Sequence, residues 1–196
     1  MIASPLFSLS SHGEAKVLLL RLLSADGTNR LSRECVLALR AALSRIICDA
    51  RRLVITGNER FFSVGADLKE ITALDASSAY EFSLIGQDLM RLIEQFPAPV
   101  YAAVSGYCMG GGLDLALACH RRIAAPGAVF GHRGAALGLI TGWGGTQRLP
   151  RLVGKATALK MFVAAEKVTA HRALEVGLID ALSEDPVAEA LRRLDP

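Results

Sequence analysis

Three consecutive glycines at positions 110–112 open an apolar helical stretch within VSGYCMGGGLDLALACHRR, residues 104–122. The first turn of a helix presents backbone N–H groups that have no intrahelical acceptor, and it carries a partial positive charge. Glycines at such a turn let another group approach the backbone closely. The segment is therefore typical of a site that stabilises an anion or a developing negative charge. A tight strand-to-helix packing turn is the alternative interpretation.

Asp114 lies two residues after the glycines, among leucines. An aspartate in a first helical turn interacts favourably with the helix dipole, which makes it a capping residue. If its side chain faces the protein interior, burial raises the pKa of the carboxyl group, which can then transfer protons near neutral pH. From this segment alone, capping and catalysis remain equally open.

The composition predicts one domain over residues 1–196, with 52% hydrophobic residues and a net charge of +3. Dense Lys/Arg runs with interleaved aromatics are absent, which argues against nucleic-acid binding. The longest apolar region, 97–119, is interrupted by glycines and Asp114, which argues against a membrane span. We expect a cytoplasmic protein without a metal site, because the widely spaced cysteines are typical of reduced, buried thiols: Cys35, Cys48, Cys108 and Cys119.

Short apolar runs alternate with helical patterns, which predicts the α/β class. Predicted strands include residues 16–23, 52–56, 100–106 and 177–180, the last as a strand or a turn. Predicted helices include one capped by Ser32 and one beginning near Asp67, followed by segments 80–96, 156–165, 170–176 and 186–194.

Four blocks in order resemble the enoyl-CoA hydratase/isomerase (crotonase) family over most of residues 16–180. They are FFSVGADLKEI, VYAAVSGYCMGGGLDLALACHRRIAA, FGHRGAALGLITGWGGTQRLPRLVGKATALKMF and TAHRALEVGLID. The resemblance implies a crotonase-like spiral of ββα units in a single domain, with a core at 16–180. Residues 181–196 are then expected to be a truncated tail with a shortened C-terminal helical region. It also implies acyl-CoA substrates, no cofactor besides the coenzyme A carried by the substrate, and a homotrimer or hexamer.

The resemblance further implies an oxyanion hole formed by the backbone N–H groups of Ala66 and Gly111. Asp114 takes the place of one of the two glutamates of the family's hydratases and is the expected catalytic residue. Residues expected to bind the substrate are Arg30, Ala66, Asp67, Leu68, Gly110, Gly111 and Gly134. An ordinary solvated arginine is the alternative interpretation for Arg30.

Gly134 stands where the second glutamate of a hydratase is expected, so ordinary hydration is in doubt because it needs two proton-transferring groups. Two classes of function remain: an acyl-CoA enzyme that catalyses isomerisation, decarboxylation or slow hydration, and a non-catalytic acyl-CoA-binding or assembly subunit. His132 and Arg133 are candidate substitutes for the missing acid, although we expect His132 to be a surface or interface residue. Trp143 and Tyr107 are either acyl-pocket or packing residues, and a structural role is expected for His120.

Overall fold

The structure is a computed structural model that describes residues 2–14, 16–49 and 51–195. Its strands are β1 Ile2–Ala3, β2 Phe7–His12, β3 Val17–Leu22, β4 Arg30–Leu31, β5 Leu53–Thr56, β6 Phe61–Ser63, β7 Gly65–Ala66, β8 Val100–Val104, β9 Tyr107–Met109, β10 Arg121–Ala124, β11 Val129–Gly131, β12 Lys167–Thr169 and β13 Ala181–Leu182. Its helices are α1 Arg33–Ile46, α2 Leu68–Thr72, α3 Ala76–Glu94, α4 Gly111–Ala118, α5 Gly145–Val153, α6 Lys155–Val163, α7 Ala170–Glu175 and α8 Pro186–Leu194, with 3-10 helices at Ile47–Asp49 and Gly134–Leu137. Across the described residues, none of the helices has the length and apolar character needed to cross a bilayer.

A seven-stranded sheet has the order β1-β2-β3-β5-β8-β10-β13, and a four-stranded sheet has the order β12-β11-β9-β6. The strands from β3 to β13 in the large sheet are parallel, whereas β1 and β2 are antiparallel. The runs VLLLRL of β3 and LVIT of β5 are almost entirely buried. Such continuous apolar strands suit a parallel sheet that is covered on both faces.

One structural step repeats along the chain. The strands β5, β8 and β10 are neighbours in the large sheet, and each is followed by a strand of the small sheet, β6, β9 or β11. Helices α2 and α3 follow the first pair, α4 the second, and a 3-10 helix with α5 the third. This repetition is the spiral of ββα units that the family resemblance implies.

Helix α4 lies inside the molecule, with residues 112–118 all buried. Helices α1 and α3 contribute buried apolar residues to the same large core. On the opposite face of the large sheet, Ala190 and Leu194 of α8 belong to a second apolar cluster with Val17, Val54 and Ile123. The segment that was expected to be a short tail therefore supplies a sheet strand, β13, and a packed helix.

The predicted strands and helices are largely confirmed, with differences at the start of α3 and at several short strands. Helix α3 begins at Ala76 rather than at the predicted Tyr80, because Asp75 and Ser78 form a capping box in front of the apolar pattern. Residues 177–180, predicted as a strand or a turn, form a turn that leads into β13, Ala181–Leu182. Seven strands were not predicted, most of them only two or three residues long: β1, β2, β4, β6, β7, β9 and β12.

The side chains of Cys35, Cys108 and Cys119 are buried, and burial raises the pKa of Cys35 and of Cys119 to about 12. Cys48 is exposed, so the prediction of four buried thiols is wrong for this residue. It lies in the 3-10 helix after α1, beyond the apolar face that α1 presents to the core. The structural role predicted for His120 is confirmed, since its Nδ1 accepts a 2.8 Å hydrogen bond from the backbone N–H of Val100.

The buried guanidinium group of Arg122 connects β10 to the end of α4. It donates hydrogen bonds of 2.7 Å to the carbonyl oxygens of Cys119 and Leu178, and its Nη2 lies 3.4 Å from the carboxylate of Asp180. Arg121 contacts the same carboxylate at 2.7 Å, but its side chain is 62% exposed. Two neighbouring arginines thus share one acidic partner in very different surroundings.

We predict that Arg122→Met lowers the free energy of unfolding by about 3–5 kcal/mol, because two buried carbonyl groups lose their guanidinium donor and Asp180 loses the buried one of its two arginine partners. Arg121→Met is the matched control and should lower it by at most about 1 kcal/mol, as expected for an exposed ion pair. Urea unfolding of both variants measures the difference. Equal losses would contradict the assignment of Arg122 as the internal connection.

Candidate active site

A cavity of about 690 Å³ opens between α2, the start of α4, the 3-10 helix at 134–137 and the segment that leads into α5. Eight residues that the sequence analysis proposed for catalysis or substrate binding line this cavity: Arg30, Ala66, Asp67, Leu68, Gly110, Gly111, Asp114 and Gly134. These residues come from four separate stretches of sequence. The fold therefore brings these eight residues to one place.

Two backbone segments come into close contact at the wall of this cavity. Gly65 has a φ of +94° and Gly110 a φ of +52°, a region that favours glycine. A Cβ atom on Gly65 would lie only 2.7 Å from the amide nitrogen of Gly111, and one on Gly111 would lie 3.4 Å from the amide nitrogen of Ala66. The N–H of Gly111 is in the first turn of α4, where helical geometry provides no acceptor. The two amides thus lie close together on a surface made of bare backbone.

The carboxyl group of Asp114 is buried beside these amides. Burial raises its pKa from 3.8 to about 7, although the Thr141 hydroxyl, the charge of Arg148 and the N–H of Gly145 act in the opposite direction. The Thr141 hydroxyl donates a hydrogen bond to Oδ2. Both protonation states are therefore accessible near neutral pH, which a proton-transferring group requires.

His132 lies in the wall of the cavity and is only 4% exposed, so the expectation of a surface or interface position is wrong. Its ring packs on Phe162 with 5.0 Å between the centroids, and its Nε2 lies 3.4 Å from Oδ1 of Asp114. Burial lowers the pKa of His132 to about 4, so the ring is neutral at pH 7. This burial could not be read from the sequence, because His132 follows directly on a short strand and is flanked by Arg133.

Gly134 is the first residue of the 3-10 helix and has no room for a side chain. A Cβ atom there would lie 2.7 Å from the carbonyl oxygen of Leu139, whose backbone N–H is hydrogen-bonded to the carbonyl oxygen of Gly134 at 2.8 Å. An acidic residue at this position would need the Leu139 segment to move. Asp114 is therefore the only buried carboxyl group among the described residues that line the cavity.

Charged residues lie at the side of the cavity formed by β4 and α2. Arg30 is ion-paired with Asp26 and lies 3.9 Å from the carboxylate of Asp67. Asp67 also caps α2 by accepting a 2.9 Å hydrogen bond from the N–H of Lys69. Arg30 is thus a paired arginine rather than a simple solvated one, and Lys69 is a further cation that the sequence analysis missed.

Trp143 is both a packing residue and a cavity residue. Its indole N–H lies 3.3 Å from the carbonyl oxygen of Phe82, and its ring covers Gly86 and Gly111 so closely that a methyl group on either glycine would collide with it. Tyr107 lies outside the described lining of the cavity and is 42% exposed. Its interpretation as an acyl-pocket residue is therefore wrong, because its side chain points from β9 toward Phe61 and Lys167.

Apolar side chains form most of the remaining wall and were not recognised from the sequence: Val64, Ile71, Leu74, Phe82, Met109 and Phe162. Isolated apolar residues in helices and strands look the same whether they line a cavity or fill a core. Only the three-dimensional arrangement separates the two cases.

The family model for enoyl-CoA hydratase/isomerase matches residues 12–194, which is almost the whole chain. The chain belongs to the enoyl-CoA hydratase/isomerase family. It is 44% identical over 162 residues to the "Probable enoyl-CoA hydratase" of Bacillus subtilis (strain 168), covering 80% of this chain and 62% of that protein. It is 39% identical over 170 residues to the crotonyl-CoA hydratase of Syntrophomonas wolfei, covering 85% and 65%.

The structure of enoyl-CoA hydratase from Thermoplasma volcanium GSS1 matches this fold with a TM-score of 0.90 at 34% identity, covering 97% of this chain and 76% of that one. The predicted crotonase-like α/β fold is thereby confirmed. The chain spans slightly less than two thirds of the length of the two curated family members named above.

The raised pKa of Asp114 predicts a pH-dependent stability. Between about pH 4 and pH 7 the folded protein keeps a proton on Asp114 that the unfolded chain has already released. The free energy of unfolding of the protein therefore falls as the pH rises through this range, and it levels off above pH 7. Asp114→Asn cannot ionise, and its stability relative to the wild type should therefore increase by up to about 4 kcal/mol between pH 4 and pH 8.

Denaturant unfolding of both proteins at several pH values measures this difference. Glu184→Gln, at an exposed position, controls for the general effect of removing one carboxyl group. A difference between Asp114→Asn and the wild type that does not change with pH would contradict the raised pKa.

Proposed function

We propose that this chain is an enzyme that processes acyl-CoA thioesters through an enolate, with Ala66 and Gly111 as the oxyanion hole and Asp114 as the acid/base. The observation that carries the proposal is the meeting of two backbone amides and one buried carboxyl group in a single cavity. Family membership supports it, and so do the relatives named as hydratases of enoyl-CoA and crotonyl-CoA.

In the proposed reaction the thioester carbonyl oxygen accepts hydrogen bonds from the N–H groups of Ala66 and Gly111. The carboxylate of Asp114 removes a proton from C2 of the acyl group, so that the C2–H bond breaks, an O–H bond forms and the electron pair moves onto the carbonyl oxygen. Two fixed donors stabilise the negative charge that develops there. Asp114 then returns its proton to C4 of a dienolate, which moves the double bond from C3=C4 to C2=C3.

Isomerisation, or a decarboxylation that releases CO₂ and leaves the same enolate, needs one proton-transferring group. Hydration needs a group that activates water and another that protonates carbon. Because Gly134 has no room for a carboxyl group, we favour isomerisation or decarboxylation over fast hydration. Asp114 is also shorter than a glutamate, and a displacement of about 1 Å can already slow a reaction by about 10²-fold.

Binding of the coenzyme A portion is proposed for Arg30, Asp67 and Leu68 at the β4–α2 side of the cavity, together with Lys69. Gly110, Gly111 and Gly134 are proposed to contact the thioester and acyl carbons as bare backbone. No cofactor other than the coenzyme A of the substrate is part of the proposal. The alternative is an acyl-CoA-binding or assembly subunit without catalysis, which is favoured by the lack of room for a second acid at Gly134.

Three wider expectations remain proposals: a single crotonase-like domain, a cytoplasmic location and a homotrimer or hexamer. Self-association is supported by large exposed apolar side chains, among them Ile140 in the segment before α5 and Leu159 and Val163 of α6. Burying such side chains between subunits is a common way to remove them from water.

Asp114→Asn tests the acid/base assignment. With 3-enoyl-, 2-enoyl- and malonyl-type CoA thioesters followed by mass spectrometry, we expect 3-enoyl isomerisation or decarboxylation by the wild type. We expect a loss of at least about 10²-fold in turnover by the variant, because the proton carrier is gone. The dissociation constant of a saturated acyl-CoA, measured by calorimetry, should change little.

Binding without turnover on the whole panel would favour the non-catalytic alternative. Turnover that Asp114→Asn leaves unchanged would remove Asp114 from the mechanism.

The oxyanion hole is tested with a matched pair of ligands, butyryl-CoA and its thioether analogue S-butyl-CoA, which lacks the carbonyl group. Both should bind, but only the thioester should shift the backbone amide protons of residues 66 and 111 strongly downfield in ¹⁵N–¹H spectra, because only it offers an acceptor oxygen. Equal shifts with both ligands would contradict the assignment.

A further inference from the structure

We propose that His132 is a positioning residue for Asp114: its Nε2–H donates to Oδ1 while the Thr141 hydroxyl holds Oδ2, so that the ionised carboxylate is fixed for proton abstraction. The inference rests on the proposed function of Asp114 and adds a role for a residue that the mechanism above does not use. Its basis is the arrangement of three side chains around one carboxyl group, His132, Thr141 and Asp114.

The two facing atoms are each without a hydrogen-bond partner. Nε2 of His132 and Oδ1 of Asp114 are buried and unpaired, and they face each other at 3.4 Å. An N–H···O hydrogen bond spans about 2.7–3.2 Å, so a shift of a few tenths of an ångström closes the contact. Hydrogen bonds of catalytic groups are often long in the absence of substrate and shorten during reaction.

Gly145, at the start of α5, leaves the space in which this pair fits. A Cβ atom there would collide with Oδ1 of Asp114 and would lie 3.0 Å from Nε2 of His132. On its other side the imidazole ring packs on Phe162, which limits how far it can turn away. The pair is therefore enclosed between Gly145 of α5 and Phe162 of α6.

A neutral imidazole is well suited to this role because it supplies a donor without adding a charge to the cavity. Burial keeps His132 neutral, since it lowers the pKa of the ring to about 4. A hydrogen bond to a carboxylate is charge-assisted and stronger than one to a carboxylic acid, so the contact favours the ionised form of Asp114. It thereby opposes the burial that raises the pKa of this group.

Other groups that act on Asp114 come from neighbouring elements. Arg148 of α5 lowers the pKa of Asp114 by its charge, and it is itself paired with Glu94 of α3 at 2.7 Å. The buried thiol of Cys108 on β9 is a weaker neighbour, and burial keeps it protonated.

The pKa of Asp114 in the intact chain tests the proposal directly, by ¹³C NMR of its side-chain carboxyl group without any substrate. His132→Phe keeps a ring against Phe162 but removes the donor, and it should raise the midpoint by roughly one pH unit, a tenfold change in proton affinity. His132→Gln restores an N–H donor and should return the midpoint toward the wild-type value. An unchanged midpoint in His132→Phe, or equal shifts in Phe and Gln variants, would overturn the proposal.

Thr141→Val and Thr141→Ser form a second matched pair, which measures the contribution of the donor on the other carboxylate oxygen separately. Valine should raise the midpoint and serine should not. If the wild-type protein is catalytically active, His132→Phe should also move the acidic limb of the kcat/KM profile to higher pH. If His132 had only a structural role, its replacement would lower kcat/KM equally at all pH values. Because the titration needs no turnover, an inactive wild type would refute the proposed function without deciding the role of His132.

Discussion

The close contact between two backbone segments, the turn at Gly65 and the start of α4 at Gly111, is the constraint on which the site depends. A single Cβ atom on Gly65 would come within 2.7 Å of the Gly111 nitrogen, so the two segments can meet only as bare backbone. The two segments follow strands β6 and β9, which are adjacent in the small sheet, and the repeated ββα step therefore fixes their meeting. The position of Asp114, one turn along α4, follows from the same contact.

Burying α4 on all sides has an electrostatic consequence for the only acid it contains. The carboxyl group of Asp114 loses its hydration, which disfavours its ionised form. Part of the lost stabilisation of the carboxylate is restored by the partial positive charge at the start of α5, the Arg148 guanidinium group and the Thr141 hydroxyl. The resulting pKa near 7 is a balance of opposing effects rather than the property of one neighbour. A small change in any of the surrounding donors therefore changes the fraction of Asp114 that is ionised at neutral pH.

Local patterns predicted the parts of the molecule that depend on local chemistry. Apolar runs predicted β3, β5 and β8, and the glycines before Asp114 predicted an exposed backbone at the start of a buried helix. The ordered motifs of the resemblance located the cavity residues from Arg30 to Gly134. Burial of His132 and exposure of Tyr107 could not be predicted, because both follow from how α6 and β9 are placed against other elements. A single histidine or tyrosine beside a strand carries no periodic signal that separates the two outcomes.

The absence of a second acid at Gly134 is built into the backbone and is not a simple side-chain deletion. Leu139 returns over Gly134 and is hydrogen-bonded to it, so the space that a carboxyl group would need is already filled by main chain. In the proposed reaction, Asp114 must then both remove and return the proton, with neutral donors on either side of it. A single carrier can reach only carbons that lie on one face of the bound acyl group and close to each other. This condition suits a shift of a double bond between neighbouring positions better than the addition of water across it.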